Sequence, residues 1–348
     1  MDTLPETNGA NDRSPTPAGA RAAGGAVGQA LRRAARSALA FRESILILVI
    51  LAFAVVMTFA SPVFLSWPNI EAILLGLSIE GTVAVGMSML FVAGGLDLSV
   101  GSTLAFAGVV AGLALTAGIP AFLSVLLALL AALAVGLVNG LLIAKLKINA
   151  FIITLGMMIT IRGLLLVVAH GQAVLNLPPS FTVIGQGRLA GVQYPIYVML
   201  LLVVLGDLLL RNTRFLRQNY YVGGNERAAR LSGVDVDFVK IFNYCTIALL
   251  AGIAGLMITA RFGSASVTVG NGLELRVITA TIIGGASLSG GEGTVLGAFL
   301  GALFLGVLAN VLNLLGVDVY WQNLVTGLML ILAVVFDAAN ERRKELRT

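Results

Sequence analysis

Charge is scarce in this chain of 348 residues. Only 11% of its side chains are charged, against about 25% in an ordinary soluble domain, while 58% are hydrophobic and the mean hydropathy is +0.98. That balance excludes a soluble globular protein. A single cysteine, Cys245, excludes an internal disulfide, and its apolar neighbours assign it to packing. The single histidine, His170, stands beside Gly171 at the end of an apolar run, a position that suits the membrane interface better than a metal site with several donors. One His and one Cys far apart supply neither a nucleophile with its base nor a metal cluster, so the sequence does not read as an enzyme. The phosphate cradle Gly-x-x-x-x-Gly-Lys-Ser/Thr is missing as well, and the chain itself is expected to bind no cofactor and to hydrolyse no ATP. Alternating segments of about ten residues, the mark of a membrane barrel, are absent. Proline is sparse (9) and glycine abundant (41), which suits helices packed closely through small side chains. The expected fold class is all-α, a polytopic membrane helical bundle.

With about 20 apolar residues needed for each crossing, the chain divides into about ten transmembrane helices: 44–60, 71–92, 98–117, 121–144, 149–169, 194–210, 241–260, 275–290, 295–315 and 321–337. Breaks fall at Ser61-Pro62, Gly94-Gly95, Gly118-Ile119-Pro120, Lys145 to Lys147 and Pro178-Pro179. Residues 1–43, rich in Ala, Gly, Pro and Arg, read as a disordered cytoplasmic tail. Residues 44–337 form the membrane domain, with a polar loop at 211–240, and 338–348 form a second cytoplasmic tail. The first apolar run leads directly into further spans and reads as an uncleaved span rather than a signal peptide.

The basic residues test that division. Arg13, Arg21, Arg32, Arg33, Arg36 and Arg42 precede the first span, and Lys145 and Lys147 follow the fourth. Six more lie between Arg211 and Lys240, and Arg342, Arg343, Lys344 and Arg347 follow the last span. All of these fall on one side of the bilayer, whereas only Arg188, Arg261 and Arg276 fall on the other and Arg162 lies within a span. By the positive-inside rule, both termini are cytoplasmic. The net charge of +5 therefore reports orientation and gives no sign of a nucleic-acid partner.

Within the membrane, Asp97 stands out, because a carboxylate near bilayer depth costs several kcal/mol unless hydrated or bonded. Asp97 or Ser99 can accept hydrogen bonds from the free N–H groups that open the next helix, and a part in passage or gating is the alternative. Arg162, well inside its span, either snorkels to the outer interface or faces a pore. Asn139, Thr154, Thr160, Asn310 and Asn313 are further in-span polar groups, each readable as interhelical glue or as pathway. Together they suit a neutral, hydroxylated solute. Spans with almost no paired acids and bases do not form a proton relay. An internal echo relates Gly94-Gly95-Leu96-Asp97-Leu98-Ser99-Val100-Gly101 to Gly284-Gly285-Ala286-Ser287-Leu288-Ser289-Gly290-Gly291, either a trace of duplicated halves or chance in glycine-rich sequence.

The polar loop holds a short helix-forming stretch. Asn225 is a natural cap, Glu226, Ala228, Ala229 and Leu231 favour helix, and Gly233 is a natural stop.

These residues resemble a known family, the permease subunits of bacterial ribose-type ABC sugar importers. The likeness rests on Gly94 to Gly101, on Asn139 to Lys147 with Phe151 to Gly156 and Arg162-Gly163, on Gly223 to Val234, and on Ile283 to Thr294. The Asn149-Ala150 pair before Phe151 departs from the family pattern. The resemblance implies a bacterial inner-membrane location and a coupling helix built on Gly224, Asn225, Glu226, Arg227, Ala228, Ala229, Arg230, Leu231, Ser232 and Gly233. That helix would dock on a separate ATP-binding subunit, which would hold ATP and Mg. It further implies a second permease copy as a homodimer partner around the pathway, and an extracytoplasmic solute-binding protein that delivers a monosaccharide or polyol. The competing reading is a stand-alone secondary transporter or channel for a small polar solute.

Overall fold

Long apolar runs punctuated by Pro, Gly and charge fold as a helical bundle with almost no strand. The computed structural model describes residues 42–345, so most of the expected N-terminal tail and the last three residues lie outside the described residues. In chain order the helices are α1 (Arg42–Ala60), α2 (Trp67–Val92), α3 (Val100–Thr116), α4 (Ala121–Ala144), α5 (Ala150–Val168) and α6 (Pro179–Gln186). They continue with α7 (Tyr194–Asn212), α8 (Gln218–Gly224), α9 (Glu226–Leu231), α10 (Val236–Phe262), α11 (Leu273–Ile283), α12 (Val295–Leu314) and α13 (Val319–Glu345). A two-residue antiparallel hairpin, β1 (Arg188–Leu189) with β2 (Val192–Gln193), joins α6 to α7.

Among the described residues eight helices, α1, α2, α4, α5, α7, α10, α12 and α13, are long and apolar enough to cross a bilayer. The chain is a polytopic helical membrane protein. Helix α3 is shorter, and the expected span 275–290 is not a full span. In its place α11 has 11 residues, about 16 Å at 1.5 Å per residue, or half a crossing. Gly284 ends it, and an irregular segment leads to the N-cap Thr294 of α12.

The chain before α11 compensates for the missing length by running back alongside α3. Ala265 lies against Gly112, and five residues later Gly270 lies against Gly101. Eleven residues of α3 separate these two contacts, about 16 Å of helix, so 263–272 is a re-entrant segment rather than a surface turn. An isolated bridge between Val174 and Ala265 pins its start. Irregular backbone at membrane depth is tolerable when covered by protein in this way.

Helices α2 and α10 form the centre. Val83, Met87, Leu90 and Phe91 of α2 are buried with Tyr244, Ile247, Ala251 and Met257 of α10. Small side chains let α4 lie against α10: a methyl on Gly140 would sit 2.9 Å from the Ile241 Cα. By contrast α1, α5 and α13 expose Leu51, Ile159, Leu328 and Phe336 among others, as suits surfaces facing hydrocarbon or another subunit. Helix α6 went unforeseen behind Pro178-Pro179. Pro179 occupies the first helical position, where its missing N–H removes no intrahelical bond.

Candidate functional site

The polar loop folds into α8, α9 and the first turns of α10. Asn225 caps α9 as its residue type suggests, its Oδ1 accepting from the Ala228 N–H at 2.9 Å. Gly233, with φ +83°, follows as the left-handed stop. Ala229 alone of α9 faces inward, buried with Val222, Val236 and Val239. Leu231 is 84% exposed.

The charged side of α9 is tied to the rest of the chain. Glu226 pairs with Arg230 at 3.3 Å and with Lys240 at 2.6 Å. Arg230 reaches Asp237 at 2.7 Å, and Asp237 reaches Lys145, at the end of α4, at 3.1 Å. The hydrogen bond from the Lys240 ammonium is the main cause that holds the Glu226 carboxyl below the usual carboxylate range. Glu226 and Arg230 thus clamp α9 onto α10 and α4. Arg227, Ala228 and Leu231 remain exposed on α9.

Behind α9 three glycine-bearing segments converge. The Gly291 N–H donates to the Val92 carbonyl at 2.9 Å, and a Cβ on Gly290 would lie 2.9 Å from both Gly223 Cα and Gly94 Cα. A Cβ on Gly223 itself would overlap the Val92 carbonyl oxygen and lie 2.6 Å from Gly291 N. Only glycine permits this approach of three backbones. Two buried amides brace the junction: Asn219 and Asn243 exchange hydrogen bonds of 3.1 and 3.0 Å and join α8 to α10. Neither was singled out in the sequence, although each is an uncharged polar residue beside an apolar run.

The two echoing segments are brought to this one junction. They also share a local turn. The Asp97 Oδ1 accepts the Ser99 N–H at 2.7 Å, and at the matching position the Ser287 Oγ accepts the Ser289 N–H at 3.3 Å. In the first segment Asp97, Ser99 and Asn139 form one buried group. The Ser99 hydroxyl donates to Asp97 at 2.6 Å and accepts from Asn139 Nδ2 at 3.0 Å. Ser99, the residue before α3, makes no side-chain capping bond. Asp97 therefore shapes the approach to α3, and through Ser99 and Asn139 it fastens that approach to α4. The Tyr244 hydroxyl adds a tie from α10 by donating to the Leu96 carbonyl at 3.1 Å. The second segment is held from α13: the Leu288 N–H donates to Asp337 at 3.0 Å, and the Ser289 hydroxyl donates to Glu341. A cavity of about 540 Å³ opens between the first segment, the α4–α5 turn and α9, with Leu96, Lys147, Phe151, Glu226 and Lys240 on its walls.

The remaining in-span polar residues lie apart. Thr154 is buried, its hydroxyl donating to Ala150 O on its own helix. Arg162 donates to the Val267 carbonyl at 2.7 Å and so secures the re-entrant segment to α5. Asn310 exchanges hydrogen bonds with Asn69 at 2.7 and 3.1 Å, an α12–α2 link. Asn313 is exposed. One pair at depth was not anticipated: Glu80 of α2 lies 3.3 Å from Arg276 of α11. A lone Glu inside an apolar run was the available signal. Among the described residues no group of three metal-ligating side chains occurs.

A family model described as "Branched-chain amino acid transport system / permease component" matches residues 69–334. The ribose import permease protein RbsC of Escherichia coli K12 is 40% identical over 310 residues, covering 88% of this chain and 96% of that protein. RbsC of Bacillus subtilis is 40% identical over 285 residues, 81% of this chain and 88% of that one. The L-arabinose ABC transporter permease protein AraH of Azospirillum brasilense is 38% identical over 300 residues, 86% and 88% respectively. No solved structure matches.

Proposed function

The chain belongs to the branched-chain amino acid transport system / permease component family, and from that premise we propose that it is the permease subunit of an ATP-driven importer of a monosaccharide or related polyol. It is a transporter membrane subunit rather than an enzyme. In this reading it spans a bacterial inner membrane and takes its solute from an extracytoplasmic binding protein. A second copy of the permease completes the pathway, and a separate subunit holds and hydrolyses ATP with Mg. Helix α9 docks on that subunit.

One observation carries the reading: α9 is clamped to α10 and α4 on its charged side while its Leu231 side stays bare. A load applied there passes along short links. It reaches α10 through the Arg230–Asp237 and Glu226–Lys240 pairs, and α2 and the two echoing segments through the Gly223 junction. Closely packed interiors transmit such displacements because backbones in contact move together. Alternating access then follows from rigid movement of α2, α10 and the half-length α11.

The test is reconstitution. Vesicles containing this chain, its co-purifying ATP-binding subunit and the binding protein should accumulate radiolabelled D-ribose, L-arabinose or a polyol only when supplied with ATP. Accumulation by this chain alone under an ion gradient would overturn the proposal in favour of a secondary transporter or channel.

A further inference from the structure

Glu80 is a lone carboxylate in the interior of a long apolar helix. It lies thirteen residues from Trp67 and twelve from Val92, about 18–20 Å from either end of α2, near the middle of the bilayer. A carboxylate there is strongly disfavoured unless it is paired or faces water, and such groups tend to mark solute paths. Arg276 pairs with it at 3.3 Å, yet the pair is not sealed. The Glu80 side chain is 16% exposed and that of Arg276 48% exposed, and both border a cleft of about 120 Å³. Leucines of α12 form one wall of the cleft, and Gln322, Asn323 and Thr326 of α13 form another.

From this geometry we propose that Glu80 and Arg276 form a solute-contacting subsite that reads a vicinal pair of hydroxyls on a neutral polyhydroxylated solute as it passes mid-membrane. The subsite rests on the importer reading above. The ion pair engages one carboxylate oxygen and one guanidinium nitrogen. A second oxygen is left to accept, and further N–H groups of the five-donor guanidinium are left to donate. A diol can donate to the former and accept from the latter at once, whereas an isolated cation or anion would have to compete with the partner of opposite charge. The volume fits a few waters or the hydroxyl-bearing edge of a sugar. Asn323, exposed on the α13 wall, adds an amide that both donates and accepts. Because the site holds an edge and not a whole solute, it favours passage over retention.

The test uses the complete transporter in vesicles, supplied with D-ribose, L-arabinose and the deoxy analogue of whichever sugar is carried. A site built to bond hydroxyls should prefer the full sugar, and losing one such contact is worth about tenfold. Glu80→Gln and Arg276→Gln should each lower the ratio of full-sugar to deoxy-analogue uptake about tenfold, whatever the change in the amount of folded transporter, so that discrimination collapses. The exchanged variant Glu80→Arg/Arg276→Glu should recover thermal stability without recovering discrimination. Should a variant of the pair fail to fold, Asn323→Ala, on the exposed wall, is expected to narrow discrimination about threefold. Wild-type discrimination persisting in the single variants would overturn the subsite. Full recovery by the exchanged variant would also overturn it, since the pair would then be only a staple between α2 and α11. Wild-type vesicles that carry no sugar or polyol would overturn the importer reading itself.

Discussion

Helices α10 and α13 are each 27 residues long, yet they differ sharply in burial. Helix α10 buries Tyr244, Ile247, Ala251, Ala254 and Met257, with Gly252 and Gly255 letting neighbours approach closely. Helix α13 presents Leu324, Leu328, Ile331, Leu332, Val335 and Phe336 outward, and at its start Tyr320 and Trp321 suit an interface belt. Small side chains gather helices of one chain together, while large apolar ones turned outward await lipid or a second subunit. The contrast divides the machine. The end of α10 beside α9 is tied by ion pairs into the packed centre, and the flank built by α13 turns large apolar side chains outward.

The sharpest way to break that division is at the glycine junction. Gly223→Val drives a side chain into the Val92 carbonyl and the Gly291 backbone, so loss of most folded protein is expected, beyond the usual ~1–3 kcal/mol of overpacking. Its neighbour is the control. Gly224→Ala meets nothing within 4 Å and should unfold no earlier than wild type in a thermal melt of the detergent-solubilised protein. Next in effect, Leu231→Asp should abolish ATP-driven uptake and co-purification of the ATP-binding subunit while leaving the melt unchanged, because Leu231 is almost wholly exposed. A parallel fall in stability would mean that Leu231 packs within the chain.

Asp97→Ala removes the acceptor for the Ser99 N–H and hydroxyl in a buried site, at a cost of about 1–3 kcal/mol, read as a lower unfolding midpoint with reduced uptake. Normal values for both would remove Asp97 from the functional set. The clamp on α9 should respond to acid. Glu226 has its carboxyl held below the ordinary range, so its stabilising pairs are present above the ordinary glutamate pKa and are lost as pH falls through the lowered one. At nearly half exposure the effect is small, well under ~1 kcal/mol, and should appear as faster hydrogen exchange in α9 at low pH that Glu226→Gln shows at neutral pH. Smallest of all, Leu328→Ala on α13 should move the intrachain melt by no more than about 0.5 kcal/mol. A larger loss would place α13 with α10 in the packed core.

The legibility of these features followed their range along the chain. The ends of α9 were readable because Asn225 acts on Ala228 and Gly233 on its own φ, all within a few residues. The span 275–290 was misread because hydropathy counts apolar residues without registering that Gly284-Gly285 stops the helix when it is only 11 residues long. Arg162 was legible as a charge within a span, but its partner, the Val267 carbonyl, lies 105 positions away. Asn310 found Asn69 across 241 positions, and Glu80 found Arg276 on another helix.

From the sequence alone came the membrane environment, the helical class, the sites of the breaks and the helix that projects from the polar loop, because hydropathy, charge and capping are properties of a residue and its near neighbours. Tertiary structure alone decided that α11 is a half helix reached by a re-entrant segment, that two echoing segments meet at Gly223, and that Glu80 faces Arg276. Each of those depends on which distant backbones come within a few ångströms, and that is set by the packing of small residues between helices rather than by any local preference.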